Sequence, residues 1–394
     1  MWGAADDERA QDLFHQHRWF ELRGVIVADQ FADALIRGSL ASAFNHPQEA
    51  EQQLKRAIRL AKGYEQSNAA RDKLVALYLR DGRTVEAVVQ LKAILKRDPS
   101  PRPDTQNVLD LFGPLAAAGD FSAHLPKGGV TLPCEVHPDG VWLSLAVNGK
   151  KVTWLLDTGF NFSGVSESEA HALGISIHDG GASVHDDAGG QARTKSGIVD
   201  KIVVGGIEFR KVPVLIYPDA QEPWRSWAQG RRGIAGLPLA LAMQTISWTR
   251  DGTCQAGLQA AVGGTSNLAF DDFNPVVQGV VDGRPIDLLL DTGNQAGTQL
   301  WTRFQVDFPE ILNGAGVTAG MEQVTQAGGS NARATANILE FHFEVGGFKA
   351  LLKPGKLFGK PVGNDYQHGL LGMDVFSQAR EVVIDFRTMT LVLR

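Results

Sequence analysis

Long apolar runs are missing from this chain of 394 residues. None approaches the roughly 20 residues that a membrane-spanning helix needs, so no transmembrane segment is read. Stretches that interleave Lys or Arg with aromatics are also lacking, and the formal charge is −6. Nucleic acid is therefore not an expected partner. The ten histidines never fall in a His-Glu-x-x-His spacing, which disfavours metal catalysis; no metal and no cofactor are expected. Ser163 and Ser166 sit in no Gly-x-Ser-x-Gly elbow, so a serine hydrolase is not expected either. Cysteine is scarce. The two residues, Cys134 and Cys254, are too few for a cysteine-rich zinc module or a multi-bridge scaffold.

The first residues, Met1-Trp2-Gly3-Ala4-Ala5-Asp6-Asp7, have no basic segment followed by an apolar one, so no signal peptide is read there. The location stays open: cytoplasmic, or extracytoplasmic and periplasmic if a leader has been removed. What the chain does have is an ordinary globular composition, 43% hydrophobic and 21% charged. Its length exceeds one ordinary core and predicts two or three domains.

Two kinds of sequence follow one another. Residues 1–117 read as helical, with apolar residues three and four apart, as in Leu54, Ala57, Ile58, Ala61 and Leu74, Leu77, Tyr78. Gly82 predicts a helix stop and Thr84 the next N-cap; Asp98-Pro99 predicts the end of that helix. Between 68 and 101, Leu74, Tyr78, Gly82, Ala87, Leu91, Ile94 and Pro99 resemble a tetratricopeptide repeat, and Ala50, Leu54 and Ala57 mark an earlier copy. Stacked helix pairs of that kind offer a concave surface to a protein partner. A plain helical bundle is the other reading. Residues 118–129 look like a linker. Beyond them, short alternating runs such as Val141–Val147, punctuated by Asn148-Gly149, Gly205-Gly206, Asp282-Gly283 and Gly346-Gly347, predict strands and turns.

The β-rich part repeats itself. The segment from Asn148 to Asp157-Thr158-Gly159 matches that from Asp282 to Asp291-Thr292-Gly293 without a gap, each triplet behind an apolar run ending in Leu-Leu. Ala188-Gly189-Gly190 answers Ala327-Gly328-Gly329, and Val204-Gly205-Gly206 answers Val345-Gly346-Gly347. Gly233-Ile234-Ala235-Gly236 answers Gly369-Leu370-Leu371-Gly372. Thr245–Trp248 and Val383–Phe386 read as the closing strands of the two halves. The expected architecture is α+β and multidomain: a helical, tetratricopeptide-like domain over 1–117, a linker over 118–129, and two all-β lobes over 130–258 and 266–394. Within it the cysteines are either two independent buried thiols or one disulfide tying the first strand of a lobe to its last, which would imply an oxidising compartment.

Two carboxylates a few ångströms apart can hydrolyse an amide without metal or covalent intermediate, one taking a proton from water while the other gives one. Like charges that close cannot both ionise, so the pair holds one proton. Asp157 and Asp291 are the candidates. Thr158 and Thr292 offer hydroxyls that can reach across a pseudo-twofold axis; Gly159 and Gly293 remove side chains where the two loops approach.

These paired triplets and the two apolar-apolar-Gly elements resemble the pepsin-like and retropepsin-like aspartic peptidases, in particular two-lobed bacterial forms, over about two-thirds of the chain. The resemblance implies an aspartic endopeptidase whose Asp157 and Asp291 activate a water in a cleft between the lobes, with an extended peptide or protein as substrate. It also implies flaps over that cleft, with Ala188, Gly189, Gly190 and Ala327, Gly328, Gly329 at the candidate tips. The residue after each triplet is usually Ser, Thr or Ala; here it is Phe160 and Asn294. Asn294 is expected to hydrogen-bond the outer carboxylate oxygen, which Phe160 cannot. That substitution favours an alternative reading, a catalytically weak or inactive peptide-binding scaffold that recruits partners through its helices. Trp224 and Trp227 are expected either to line substrate pockets or to pack against a neighbouring domain.

Overall fold

The computed structural model describes residues 4–26, 33–185, 191–258, 266–314, 316–326, 329–358 and 366–394. Among the described residues seven helices come first: α1 (Ala4–His15), α2 (Trp19–Val25), α3 (Ala34–Ala43), α4 (Pro47–Leu60), α5 (Tyr64–Arg80), α6 (Thr84–Arg97) and α7 (Pro103–Phe112). Their boundaries follow local chemistry. The Asp33 carboxylate caps α3 by accepting from the amides of Leu35 and Ile36, and Pro47 occupies the first turn of α4, where a missing N–H costs nothing. Gly82, at φ +73°, carries the chain out of α5. Thr84, expected as an N-cap, is instead the first helical residue, and Arg83 holds the cap position with no side-chain cap bond. Leu74, Tyr78, Ala87, Leu91 and Ile94 are all buried, as their spacing predicts. No helix among the described residues is long and apolar enough to cross a membrane.

Two β-lobes follow. In the first, the central strands run in the order Ser163–Ser166, Gly233–Ala235, Lys150–Leu156, Gly140–Val147. The second repeats this plan with Gln299–Leu300, Gly369–Leu371, Arg284–Leu290 and Asn274–Val281. The Asn148-Gly149 and Asp282-Gly283 turns place both residues at positive φ, which matches the right-handed twist of their flanking strands. A long hairpin leaves each lobe: Ser176–His185 with Gln191–Val204, and Val317–Gln326 with Gly329–Ile338.

Alternation along the central strands gives each lobe two apolar faces. Trp154 and Leu156, and likewise Ile286, Leu288 and Leu290, enter the common β core, whereas Leu155 and Leu289 point to the opposite face. That second face also carries whatever follows the strand at odd positions, which means Asp157 and Asp291.

The two closing strands do not end their lobes separately. Thr245–Thr249 pairs antiparallel with Glu381–Asp385, Ser247 opposite Val383. With Cys254–Ala256, Val130–Leu132 and Thr390–Leu393 they form a third sheet shared by both lobes. Backbone hydrogen bonds thus fix one lobe against the other. Cys134 and Cys254 form a disulfide with Cα atoms 6.3 Å apart, so of the two readings for these cysteines the bridge is the one found.

The stretch read as a linker contains a strand, Ser122–His124, paired with Ile207–Tyr217 at the edge of the first lobe. Just before it, the Phe121 amide donates to the Gly82 carbonyl, tying helices to lobe. The helical domain also grips the second lobe. Lys73 Nζ lies 2.9 Å from both carboxylate oxygens of Asp272. The fully buried Arg80 donates to the Asp272 carbonyl and lies 4.1 Å over the Phe270 ring.

Candidate active site

Each acidic triplet begins where a buried strand runs out. The amide of Asp157 still donates to the Ala235 carbonyl at 3.0 Å, and that of Asp291 to Leu371 at 3.1 Å. The apolar-apolar-Gly strands, parallel to the strands bearing the triplets, therefore continue the ladder through the acidic residues and fix their backbones. Gly236 and Gly372 have no room for a Cβ: at Gly236 it would strike the Phe162 carbonyl, and at Gly372 the backbone of Gly297. The chain just beyond each glycine reaches back to the residue after the triplet of its own lobe, Leu237 N donating to Phe160 O and Met373 N to Asn294 O.

Thr158 and Thr292, both fully buried, lock the two loops together. Thr158 Oγ1 donates to the Leu290 carbonyl at 2.8 Å and accepts from the Thr292 amide at 3.1 Å. Thr292 Oγ1 donates to the Leu156 carbonyl at 2.9 Å and accepts from the Thr158 amide at 3.1 Å. Four reciprocal bonds across the axis leave no freedom for one acidic loop to move alone. Replacing Thr158 by Val keeps the shape but orphans the Leu290 carbonyl and the Thr292 amide. A loss of about 3 kcal/mol in chemical denaturation is expected, with Thr158→Ser recovering most of it.

The glycines then bring the carboxyls together. A Cβ on Gly159 would collide with the Asp291 carboxyl, and one on Gly293 with that of Asp157. The Asp157 carboxyl is hydrogen-bonded to that of Asp291. Its Oδ1 accepts from the amides of Gly159 and Phe160 at 2.9 and 3.0 Å, while Asp291 Oδ1 accepts from the Gly293 amide at 2.9 Å. Burial pushes Asp157 up to about 6, against the downward pull of Asp291 and the two amides. A carboxyl pair of this kind holds a proton across the mildly acidic range, keeping a donor and an acceptor side by side.

The residues after the triplets behave differently from expectation. Phe160 serves the carboxylate with its backbone amide, and its ring turns toward Tyr217, 5.9 Å away. Asn294 does not reach Asp291 with its side chain. Its Nδ2 donates to Gly297 and its Oδ1 accepts from the Ala296 amide, so the amide is spent holding its own loop. Side-chain bonds to the apolar-apolar-Gly elements come from two other hydroxyls. Ser163 Oγ accepts from the Gly236 amide at 3.2 Å and Thr298 Oγ1 from Gly372 at 3.1 Å. Asp374 fixes Thr298 through both its hydroxyl and its amide. The two hydroxyls lie six residues after Asp157 and seven after Asp291, and this offset of one hides their equivalence from a gapless comparison.

Among the flap-tip candidates, Ala188, Gly189, Gly190, Ala327 and Gly328 lie outside the described residues; Gly329 opens its strand, paired with Gln326. Trp224 is fully buried, stacked on Tyr217 at 5.2 Å and edge-on to Trp227, whose ring meets Trp142 at 5.1 Å. These aromatics belong to an apolar cluster that also includes buried side chains of α3 to α7. It is continued by Phe112 of α7 against Phe162, 4.6 Å away.

Residues 143–237 match the family model described as aspartyl protease; the matched segment contains the first acidic triplet and ends just after the first apolar-apolar-Gly element. Among solved structures, the chain is similar to basic 7S globulin from soybean at 12% identity, over 68% of this chain and 94% of that one, with a TM-score of 0.38. It is also similar to a retropepsin-like aspartic protease from Rickettsia conorii at 14% identity, over 35% of this chain and 95% of that one, with a TM-score of 0.25. No curated protein matches the sequence.

Proposed function

We propose that this protein is an aspartic endopeptidase, hydrolysing peptide bonds with a water activated by Asp157 and Asp291. The observation that carries the reading is the reciprocal threonine lock, which holds the buried Asp157 carboxyl and the half-buried Asp291 carboxyl against one another at the meeting point of two lobes. The ionised partner takes a proton from the water as its oxygen attacks the amide carbon, and the protonated partner donates to the carbonyl oxygen. Collapse of the tetrahedral species then returns a proton to the leaving nitrogen, and the dyad again holds one proton. The family match over the first lobe supports the same chemistry. An extended peptide or protein is the substrate class, with the two long hairpins as its covers.

The rival reading, a peptide-binding scaffold without turnover, draws on Phe160. Because that residue supplies a backbone amide to Asp157 and turns its ring away, its identity does not disable the pair. The helices are read as tetratricopeptide-like, with a protein partner on their exposed side as a secondary role. The Cys134–Cys254 disulfide favours an oxidising, extracytoplasmic compartment.

The dyad needs one proton, so kcat/KM is expected to decline once pH rises through about 6, the value to which burial brings Asp157. A pH–rate profile on a mixed peptide library checks this. A profile still climbing at about pH 8 would point to a different base.

A further inference from the structure

The helical domain reaches the same face of the second lobe that carries Asp291. On strand Arg284–Leu290, Ile286, Leu288 and Leu290 enter the core, while Asp287 and Leu289 alternate to the side from which Asp291 emerges. Leu289 has Val276 and Leu370 as its register partners. These three make a cross-strand apolar row roughly 7 Å from Asp291, two residues along the strand. Trp142, Leu155 and Ile234 make the matching row in the first lobe. A peptide lying extended across the dyad would turn successive side chains toward such rows.

The row on the second lobe is already covered. Val276, Leu289 and Leu370 are only 2%, 8% and 5% exposed. They cluster with Trp301, Val324 of the hairpin and Phe358, and Phe20 of α2 packs onto that cluster from outside the lobe. Phe20 also stands edge-on to Phe44 of the helical domain, so it bridges the two units. The helix carrying it is held in place on either side. His17 Nδ1 and Trp19 Nε1 lie 2.6 and 3.2 Å from Asp271 Oδ1, and Gln367, three residues before Leu370, donates to Asp271 Oδ2 at 2.9 Å. The His17 ring stacks on Tyr366 at 3.8 Å. Arg18 and Glu21, which flank Phe20, both act electrostatically on Asp287. Asp287 sits two residues before Leu289 on the same face.

We propose that Phe20 is a specificity-determining residue: it fills the side-chain space over Val276, Leu289 and Leu370, so that peptides with a small residue on the second-lobe side of the scissile bond are cleaved and those with a large apolar one are not. This rests on the dyad reading above. The helical domain is then a wall of the substrate site, and its docking contacts with Asp271 hold that wall at a fixed depth.

The test profiles a peptide library with the full-length protein and its Phe20→Leu and Phe20→Ala variants. The wild type should demand Gly, Ala or Ser at one position next to the cleaved bond. Phe20→Ala should raise kcat/KM for matched peptides bearing Leu or Phe there by at least ~10-fold, leaving other positions unchanged, with Phe20→Leu between the two. A second readout needs no turnover. Both native cysteines are disulfide-bonded, so in a Leu289→Cys background iodoacetamide reports one thiol; its alkylation should be slow with Phe20 in place and fast once Phe20→Ala is added. If the wild type cleaves through the dyad but Phe20→Ala leaves the preference unchanged, the role of Phe20 falls alone. If alkylation accelerates yet no variant cleaves any peptide, the dyad reading fails and the specificity role falls with it.

Discussion

Asp157→Asn and Asp291→Asn are each expected to lower kcat/KM by about 10³- to 10⁴-fold, the range for removing a positioned acid or base. The substitution is nearly isosteric. In Asp157→Asn the side-chain carbonyl oxygen can still accept from the Gly159 and Phe160 amides that now serve the carboxylate, so the loop keeps its bonds. What it loses is a proton that can be held or released near neutral pH. Because one group must accept from water while its neighbour donates, either substitution alone removes half of a coupled pair, and the double variant should be little worse than the singles.

The same change carries a stability signature of opposite sign. Burial raises the Asp157 carboxyl to about 6 in the folded chain, above the roughly 3.9 of an unfolded aspartate. The folded state therefore binds the proton more tightly. Its stabilising contribution is complete below about pH 4 and is lost as pH rises through about 6. Two units correspond to on the order of 3 kcal/mol. Asn does not titrate, so Asp157→Asn should be more stable than the wild type at pH 7 by up to that amount, and the advantage should vanish near pH 4. Inactivation accompanied by a higher melting temperature at pH 7 separates removal of chemistry from misfolding. Wild-type cleavage rates in either Asn variant would sink the dyad; a variant less stable at pH 7 would sink the burial argument.

What could be read without coordinates was whatever repeats in register. Asp-Thr-Gly behind Leu-Leu occurs twice, and the physical demand on it, a rigid strand end meeting its twin, is local enough to be written in consecutive residues. The threonine lock follows from the same triplets. Partner choice is not local. Thr245–Trp248 and Val383–Phe386 show strand alternation, yet alternation says nothing of which strand lies beside them, and they pair with each other across the lobes. Ser122–His124 hides in a Gly- and Ala-rich stretch because an edge strand needs few buried side chains; all three residues are exposed.

Residue identity misleads where the backbone makes the contact. Phe160 looks like a defect until its amide is seen on Asp157. Asn294 looks like its substitute, but its side chain is used up within the loop. Docking of the helical domain was illegible for another reason. Nothing in the sequence sets Arg80, Asp271 and Asp272 apart from other charged residues, yet Arg80 and Asp271 are buried and all three join helices to the second lobe. A charge in a sequence does not disclose whether its partner lies two hundred residues away.

Removal of the disulfide is expected to have the largest effect on stability. Cys134 lies on the outer strand of the first lobe, paired with Gly140–Val147. Cys254 lies in the sheet shared by both lobes, between Val130–Leu132 and Thr245–Thr249. The bridge closes a loop across a sequence separation of 120 residues, which spans nearly the whole first lobe, including Asp157 and Ile234-Ala235-Gly236. Cross-linking a loop of that length restricts the unfolded chain by about 5 kcal/mol. The double variant Cys134→Ser, Cys254→Ser should lose that much in the unfolding of the first lobe, followed through the fluorescence of its buried Trp154, Trp224 and Trp248. Reduction of the wild type with a dithiol should reproduce the loss, and the same dithiol should leave the serine variant unchanged. The native contacts around the bridge are otherwise retained, so the loss should appear at the unfolding midpoint while the slope with denaturant rises, the unlinked chain exposing more surface on unfolding. A serine variant as stable as the wild type would mean that the third sheet alone holds the ends of the lobe together.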